Sequence, residues 1–198
     1  MPSSDPRLIT SICQAILRSQ PTSVLDLGIG FGKWGALIRE YTDIWGFRFY
    51  RDEWTTFITG VEIHETYRNP MWDLYDRVVI GDLCQFVGGL TKIENAGGGY
   101  APLYDLTIMV DVLEHLPKND GIGLIENVLK FSKHFIVSYC NSHQKDVRDN
   151  PHEDHVSTWS VGDNFKRYDP EILCGGDNWS ALLLTNREFV LEKDDILK

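Results

Sequence analysis

Two carboxylates and an imidazole stand together in Asp111-Val112-Leu113-Glu114-His115. At i, i+3 and i+4 they project to one side of a helical turn and offer two oxygens and one nitrogen. A further imidazole, His155, follows in Asn150-Pro151-His152-Glu153-Asp154-His155-Val156-Ser157-Thr158-Trp159. Imidazole titrates near neutrality, so His155 or His115 suits the role of general base toward a hydroxyl. His152 is the weaker choice, as a loop residue facing water. Asp111, Glu114, His115 and His155 together also make up a four-ligand set. No thiolate joins it, so an oxygen-preferring ion such as Mg fits it better than structural Zn. The alternative is that Glu114 and His115 only order their loop and hold no metal.

A second constellation lies upstream. Val24-Leu25-Asp26-Leu27 is an apolar run carrying an acid, and Gly28, Gly30 and Gly32 follow at every second position. Such a run reads as a buried strand ending in a turn where the backbone approaches a ligand closely. The spacing differs from the Gly-x-Gly-x-x-Gly fingerprint of nicotinamide oxidoreductases, which argues against that class. Glu62 and Asp82 end the next two apolar runs. A carboxylate at the tip of a second strand can accept from both hydroxyls of a ribose. The alternative for Glu62 is a solvated strand-end acid, and for Asp82 a cap of the following helix.

These residues need a scaffold. Ser4-Asp5-Pro6 opens a helix carrying Ile9, Cys13, Ile16 and Leu17, which Pro21 stops. Strands are predicted at Val24–Leu27, Thr56–Glu62, Arg77–Gly81, Asp105–Val110 and Phe135–Tyr139. Helices are predicted at Lys33 to about Tyr41, Asn69–Tyr75 and Asn119–Ser132. Glu171–Cys174 and Ser180–Thr185 also read as strands. Strands alternate with helices, and the early strands are continuous apolar runs. The expected fold is therefore α/β: a doubly wound, mostly parallel, seven-stranded sheet with helices on both faces. Ligands on such sheets sit at the carboxyl ends of the strands, where each residue singled out above falls.

The 198 residues fit one domain, 1–198, with an aromatic-rich insertion at about 44–54 (Trp45, Phe47, Phe49, Tyr50, Trp54). That segment walls a substrate pocket, fills a satellite core or forms a homodimer contact. Ala96-Gly97-Gly98-Gly99 reads as a surface loop, and 188–198 as an extra strand or a loose tail. No apolar run reaches the length of a membrane helix, and no leader is seen, so a cytoplasmic protein is expected. The four cysteines form no CxxC pair and are expected to be reduced. Net charge is −10, from 29 acidic against 19 basic residues, which argues against a nucleic-acid substrate.

The stretch Asp26-x-Gly28-x-Gly30-x-Gly32, followed by Glu62 and Asp82, resembles the class I S-adenosylmethionine-dependent methyltransferases, in particular their small stand-alone members. The resemblance implies S-adenosylmethionine as cofactor, bound by Asp26, Gly28, Gly30, Gly32, Glu62, Asp82, Leu83 and Asp111. Asp82 would accept from the adenine amino group and Leu83 would pack on the ring. Asp111 through His115 resembles the family's fourth motif, which lies under the methyl group. This implies methyl transfer to a small molecule, most simply to a hydroxyl of a natural product or saccharide. With His155 and Trp159, the same motif resembles metal-dependent O-methyltransferases. One branch of these acts on the 3′-terminal 2′-hydroxyl of small RNAs, where Glu stands in place of Asp111. A non-catalytic, cofactor-binding subunit of a larger assembly is the remaining alternative.

Overall fold

The computed structural model describes residues 3–97, 103–145, 150–176 and 178–189. Seven strands form one sheet: β1 (Ser23–Leu27), β2 (Phe57–Glu62), β3 (Arg77–Ile80), β4 (Tyr104–Met109), β5 (Ser132–Cys140), β6 (Glu171–Gly176) and β7 (Trp179–Thr185). Their order across the sheet is β3-β2-β1-β4-β5-β7-β6. The first five are parallel, and β7 alone runs against its neighbours β5 and β6. The order reverses at β1 and β4, where crossovers leave toward opposite edges and open a crevice at the strand tips.

The alternation of strand side chains builds a core on each face. Val24, Ile58, Ile108 and Ile136 face helices α1 (Ile9–Ser19) and α2 (Lys33–Thr42). Leu25, Leu27, Val61, Phe135 and Val137 face α3 (Leu83–Gly97) and α4 (Lys118–Phe131). Helix α1 is entered through a 3₁₀ turn at Pro6–Leu8, capped by the Asp5 side chain. It ends at Gln20 in the left-handed region, one residue before Pro21. The expected doubly wound sheet is thus the observed one.

Local differences have simple causes. The segment after Pro70 is a 3₁₀ turn, Pro70–Leu74, too short to close an α-helical ladder. Helix α4 yields directly to β5 at Ser132, because the Ser132 side chain is buried on Thr107 Oγ1 at 2.5 Å in the sheet. Ala96 and Gly97 still belong to α3, while Gly98, Gly99 and 190–198 lie outside the described residues. None of the four cysteines is paired. Among the described residues no helix is long and apolar enough to cross a membrane.

Candidate active site

The loop after β1 turns through Gly28, Gly30 and Gly32 at φ of 81°, 51° and 88°. At Gly28 space as well as conformation demands glycine: a Cβ there would stand 2.5 Å from Val112 Cγ2. The amides of Gly28 and Ile29 donate to the Val61 carbonyl, tying the turn to β2. The Gly30 amide donates to Glu62 Oε2 at 2.8 Å, and the His64 amide to Oε1 at 2.9 Å. Glu62 is therefore fixed at the tip of β2, and each oxygen keeps a lone pair for another donor.

A cleft runs along the strand tips, lined by Gly28, Gly30, Glu62, Asp82, Leu83, Asp111 and His115 among others. Asp82 does two things: it faces this cleft, and its Oδ1 accepts from the Gln85 amide at 2.8 Å to cap α3. Asp26 and Gly32 stand behind the residues that line the cleft. Asp26 points into the face under α2, where Tyr75 Oη donates to its Oδ2 at 2.6 Å and itself accepts from the Gly35 amide at 3.0 Å. Burial pushes the Asp26 carboxyl up to about 7, against the opposing effect of the Tyr75 hydrogen bond. Gly32 is the N-cap of α2. Both residues shape the loop from behind.

Three contributors escape the sequence reading. Lys33 lines the cleft and its Nζ donates to the Ser4 carbonyl at 2.6 Å. Burial lowers its pKa. Its sequence signal was a cation directly after the last glycine of the turn. Ser4 Oγ accepts from Trp34 Nε1 at 3.0 Å, and Ser3 and Ser4 line the cleft. Tyr67 Oη donates to Glu153 Oε1 at 2.8 Å and accepts from Asn150 Nδ2 at 2.9 Å. It bridges the loop after β2 to the loop that carries His155, and nothing local marks it.

At the reacting end the expected helical face does not form. Leu113–His115 is a single 3₁₀ turn, and Asp111 stands before it at φ 53°. Asp111 Oδ1 accepts from Ser138 Oγ at 2.7 Å and Oδ2 from the Asp5 amide at 3.0 Å. It is thereby held apart from the other three expected ligands. Those three do converge: one ligand atom from each of Glu114, His115 and His155 lies within 4.8 Å of the others.

The environment of this trio is unusual. Glu114 is buried, its Oε1 accepting from the Cys140 amide at 3.0 Å. Its Oε2 is buried with no hydrogen-bond partner among the described residues. Burial, reinforced by the charge of Asp111, pushes this carboxyl up to about 8. His115 Nδ1 lies 3.1 Å from the Asp154 carbonyl, and His155 Nδ1 lies 2.5 Å from the Ser142 carbonyl. A carbonyl only accepts, so each Nδ1 carries a proton and Nε2 is the nitrogen left for a ligand. Burial lowers the pKa of His115, which favours the neutral ring. An orphaned carboxylate oxygen beside two imidazoles with fixed tautomers is a donor set that fits a divalent cation.

The two other histidine assignments separate in space. His152 lines the strand-tip cleft together with His115, whereas His155 lines a different one. The aromatic segment is at the opposite end of the sheet. Its anchor is Arg39, buried and bonded to Asp43, to the Thr56 carbonyl (2.8 Å) and to Asp76 Oδ2 (2.8 Å), groups that precede β2 and β3. Trp54 stacks 4.0 Å from this guanidinium. Trp45, Phe47, Phe49 and Tyr50 are 60–81% exposed. The segment therefore does not wall the pocket at the strand tips.

No family model and no curated protein matches the sequence. Solved structures do match the fold. The N-terminal domain of EvdMO1, solved in the presence of SAH and D-fucose, superposes with a TM-score of 0.59 at 14% identity, over 88% of this chain and 81% of that one. An O-methyltransferase family protein from Burkholderia thailandensis superposes with a TM-score of 0.55 at 10% identity, over 90% of this chain and 56% of that one. A SAM-dependent methyltransferase from Archaeoglobus fulgidus gives 0.55 at 13% identity, over 91% and 94%. With its strand order, its glycine turn and its lone antiparallel β7, this chain has the fold of the class I S-adenosylmethionine-dependent methyltransferases.

Proposed function

We propose that this protein is an S-adenosylmethionine-dependent methyltransferase that methylates a hydroxyl oxygen with the help of a divalent cation. The observation that carries the reading is the convergence of Glu114, His115 and His155, with the buried Oε2 of Glu114 lacking a hydrogen-bond partner among the described residues. Three groups suit the cofactor. Glu62 would accept from the ribose hydroxyls, Asp82 and Leu83 would face the adenine, and Lys33 offers a cation to the amino-acid carboxylate. The cofactor would supply a methyl group on a sulfonium, and the protein would supply alignment. Two of the similar structures are described with SAH, which supports this choice.

Glu114, His115 and His155 would hold the cation, which would supply a lowered pKa to a hydroxyl brought against it. Asp111 is not needed as a ligand, since it is engaged by Ser138 and Asp5. In the same arrangement without a cation, the Nε2 of His115 or His155 takes the hydroxyl proton. The small-molecule acceptor is favoured over an RNA end by the net charge of −10. The intact trio argues for an enzyme rather than a cofactor-binding subunit. Calorimetry with S-adenosylhomocysteine, followed by methyl-transfer assays with and without Mg and a chelator, tests the reading. Failure of the wild-type protein to bind S-adenosylhomocysteine overturns it.

A further inference from the structure

One peptide group stands between two charges at the strand tips. The Ser4 carbonyl accepts from Lys33 Nζ at 2.6 Å. The amide of that same peptide bond, Asp5 N, donates to Asp111 Oδ2 at 3.0 Å. Ser4 Oγ lies 3.3 Å from Lys33 Nζ and accepts from Trp34 Nε1 at 3.0 Å. Lys33, Trp34 and Asp111 line the strand-tip cleft, and so do Ser3 and Ser4.

The two charges are rooted in the sheet and not in this segment. Lys33 opens α2 directly after the glycine turn. Asp111 follows β4; its Oδ1 accepts from Ser138 Oγ at 2.7 Å, and its amide donates to that hydroxyl at 2.8 Å. The segment itself is anchored only from Asp5 onward. The Asp5 carboxylate accepts from the Arg7 amide at 2.9 Å and pairs with the Arg7 guanidinium. Arg7 stacks 4.4 Å from the centre of the Trp179 ring, and Leu8 is buried. Ser3 and Ser4 bring no apolar side chain to bury. Ser4 is held to the cleft by polar bonds, which a polar ligand can replace.

An oxygen acceptor on the Lys33 ammonium and an N–H donor on the Asp111 carboxylate are also what the α-carboxylate and α-ammonium of an amino acid offer. We infer that residues 3–5 form a strap whose peptide group takes the place of the cofactor's amino-acid arm, and that the strap swings out about Asp5 when S-adenosylmethionine is seated. This rests on the methyltransferase reading above, whose cofactor ends in such an arm. A strap of this kind lowers the apparent affinity of any ligand that carries the arm, in proportion to the time it stands in the way. A nucleoside without the arm escapes that penalty.

Asp5 is the place to test it. Its backbone lies at φ −59° and ψ 130°, which proline adopts without strain. Asp5→Pro removes the N–H that reaches Asp111, together with the side chain that caps the first turn. Asp5→Ala removes the same cap and keeps the N–H, so the pair isolates the strap bond. Ser4→Ala frees the strap from Trp34 and leaves the cap in place. Calorimetry is run on the wild type and the three variants with S-adenosylhomocysteine and with 5′-methylthioadenosine, the same nucleoside without the arm. Asp5→Pro should bind S-adenosylhomocysteine about tenfold more tightly than Asp5→Ala, and 5′-methylthioadenosine equally. Ser4→Ala should gain on the wild type in the same sense by a smaller factor. Equal or weaker S-adenosylhomocysteine binding in Asp5→Pro than in Asp5→Ala, no gain in Ser4→Ala, or a gain shared by both ligands overturns the inference. A wild-type protein that does not bind S-adenosylhomocysteine instead overturns the methyltransferase reading itself.

Discussion

His115 and His155 meet edge to face, with ring centroids 4.8 Å apart and planes at 78°. Each has its Nδ1 committed to a backbone carbonyl of the chain between 142 and 154. The pair is held in place before any ligand arrives, since the Glu114 carbonyl also accepts from the amides of Val156 and Ser157. One short turn therefore positions the carboxylate, one imidazole and the loop that delivers the other.

Chelation should abolish methyl transfer, and Mg or Mn should restore it. Glu114→Gln and His155→Ala should each lower turnover by about a hundredfold or more, beyond the typical cost of losing an outer-shell partner. Affinity for S-adenosylhomocysteine should stay within a factor of about two. Cobalt absorption spectra of wild type and variants report the donor set directly. A wild-type spectrum identical to that of Glu114→Gln counts against the site.

Glu62→Ala should weaken S-adenosylhomocysteine binding at least about tenfold in calorimetry, because it removes the ribose acceptor and frees the Gly30 and His64 amides. Glu62→Gln keeps one acceptor oxygen and should fall between the two. Unchanged affinity in the alanine variant would remove Glu62 from the cofactor site.

Asp26 gives a pH dependence whose sign is fixed. Its carboxyl is raised from 3.8 to about 7 in the folded protein. Between those values the folded state holds a proton that the unfolded state has released, so this group's contribution to stability declines as pH rises from about 4 to 7. Asp26→Asn cannot ionise. Relative to wild type it should melt several degrees higher at pH 8 than it does at pH 4. Parallel melting curves of the two proteins at both pH values check the difference.

Tyr67→Phe deletes two hydrogen bonds between the loop after β2 and the loop that carries His155. The loss of each should cost about 1 kcal/mol, lowering the melting temperature by a few degrees. Turnover should fall more than S-adenosylhomocysteine affinity, because Glu153 stands two residues before His155; affinity falls as well, since Tyr67, Asn150 and Glu153 line the strand-tip cleft. Equal losses in both would make Tyr67 a general support only.

Much of this was legible in the chain. The glycine turn, the acids at the tips of β2 and β3 and the parallel order follow from apolar runs and local chemistry. The bond of Asp26 to Tyr75 was not legible, because strand parity turns Asp26 to the α2 face and Tyr75 is distant in sequence. The helical spacing assumed for Asp111, Glu114 and His115 fails because the Asp111 backbone enters the left-handed region at the end of β4. The aromatic segment carried no local sign of which end of the sheet it would occupy. That was decided by Arg39, whose partners Thr56, Leu74 and Asp76 lie far along the chain.

Arg39 also gives the rear of the molecule a mechanical autonomy. Asp43 takes its guanidinium on one oxygen and, on the other, Arg48 Nε (2.9 Å) and the Thr55 amide (2.8 Å), so both feet of the aromatic loop are riveted to the same post. The tip between Phe47 and Tyr50 lies outside the lining of the strand-tip cleft. A fluorophore, an affinity handle or a surface tether could be grafted there, at the end of the sheet away from the strand-tip cleft.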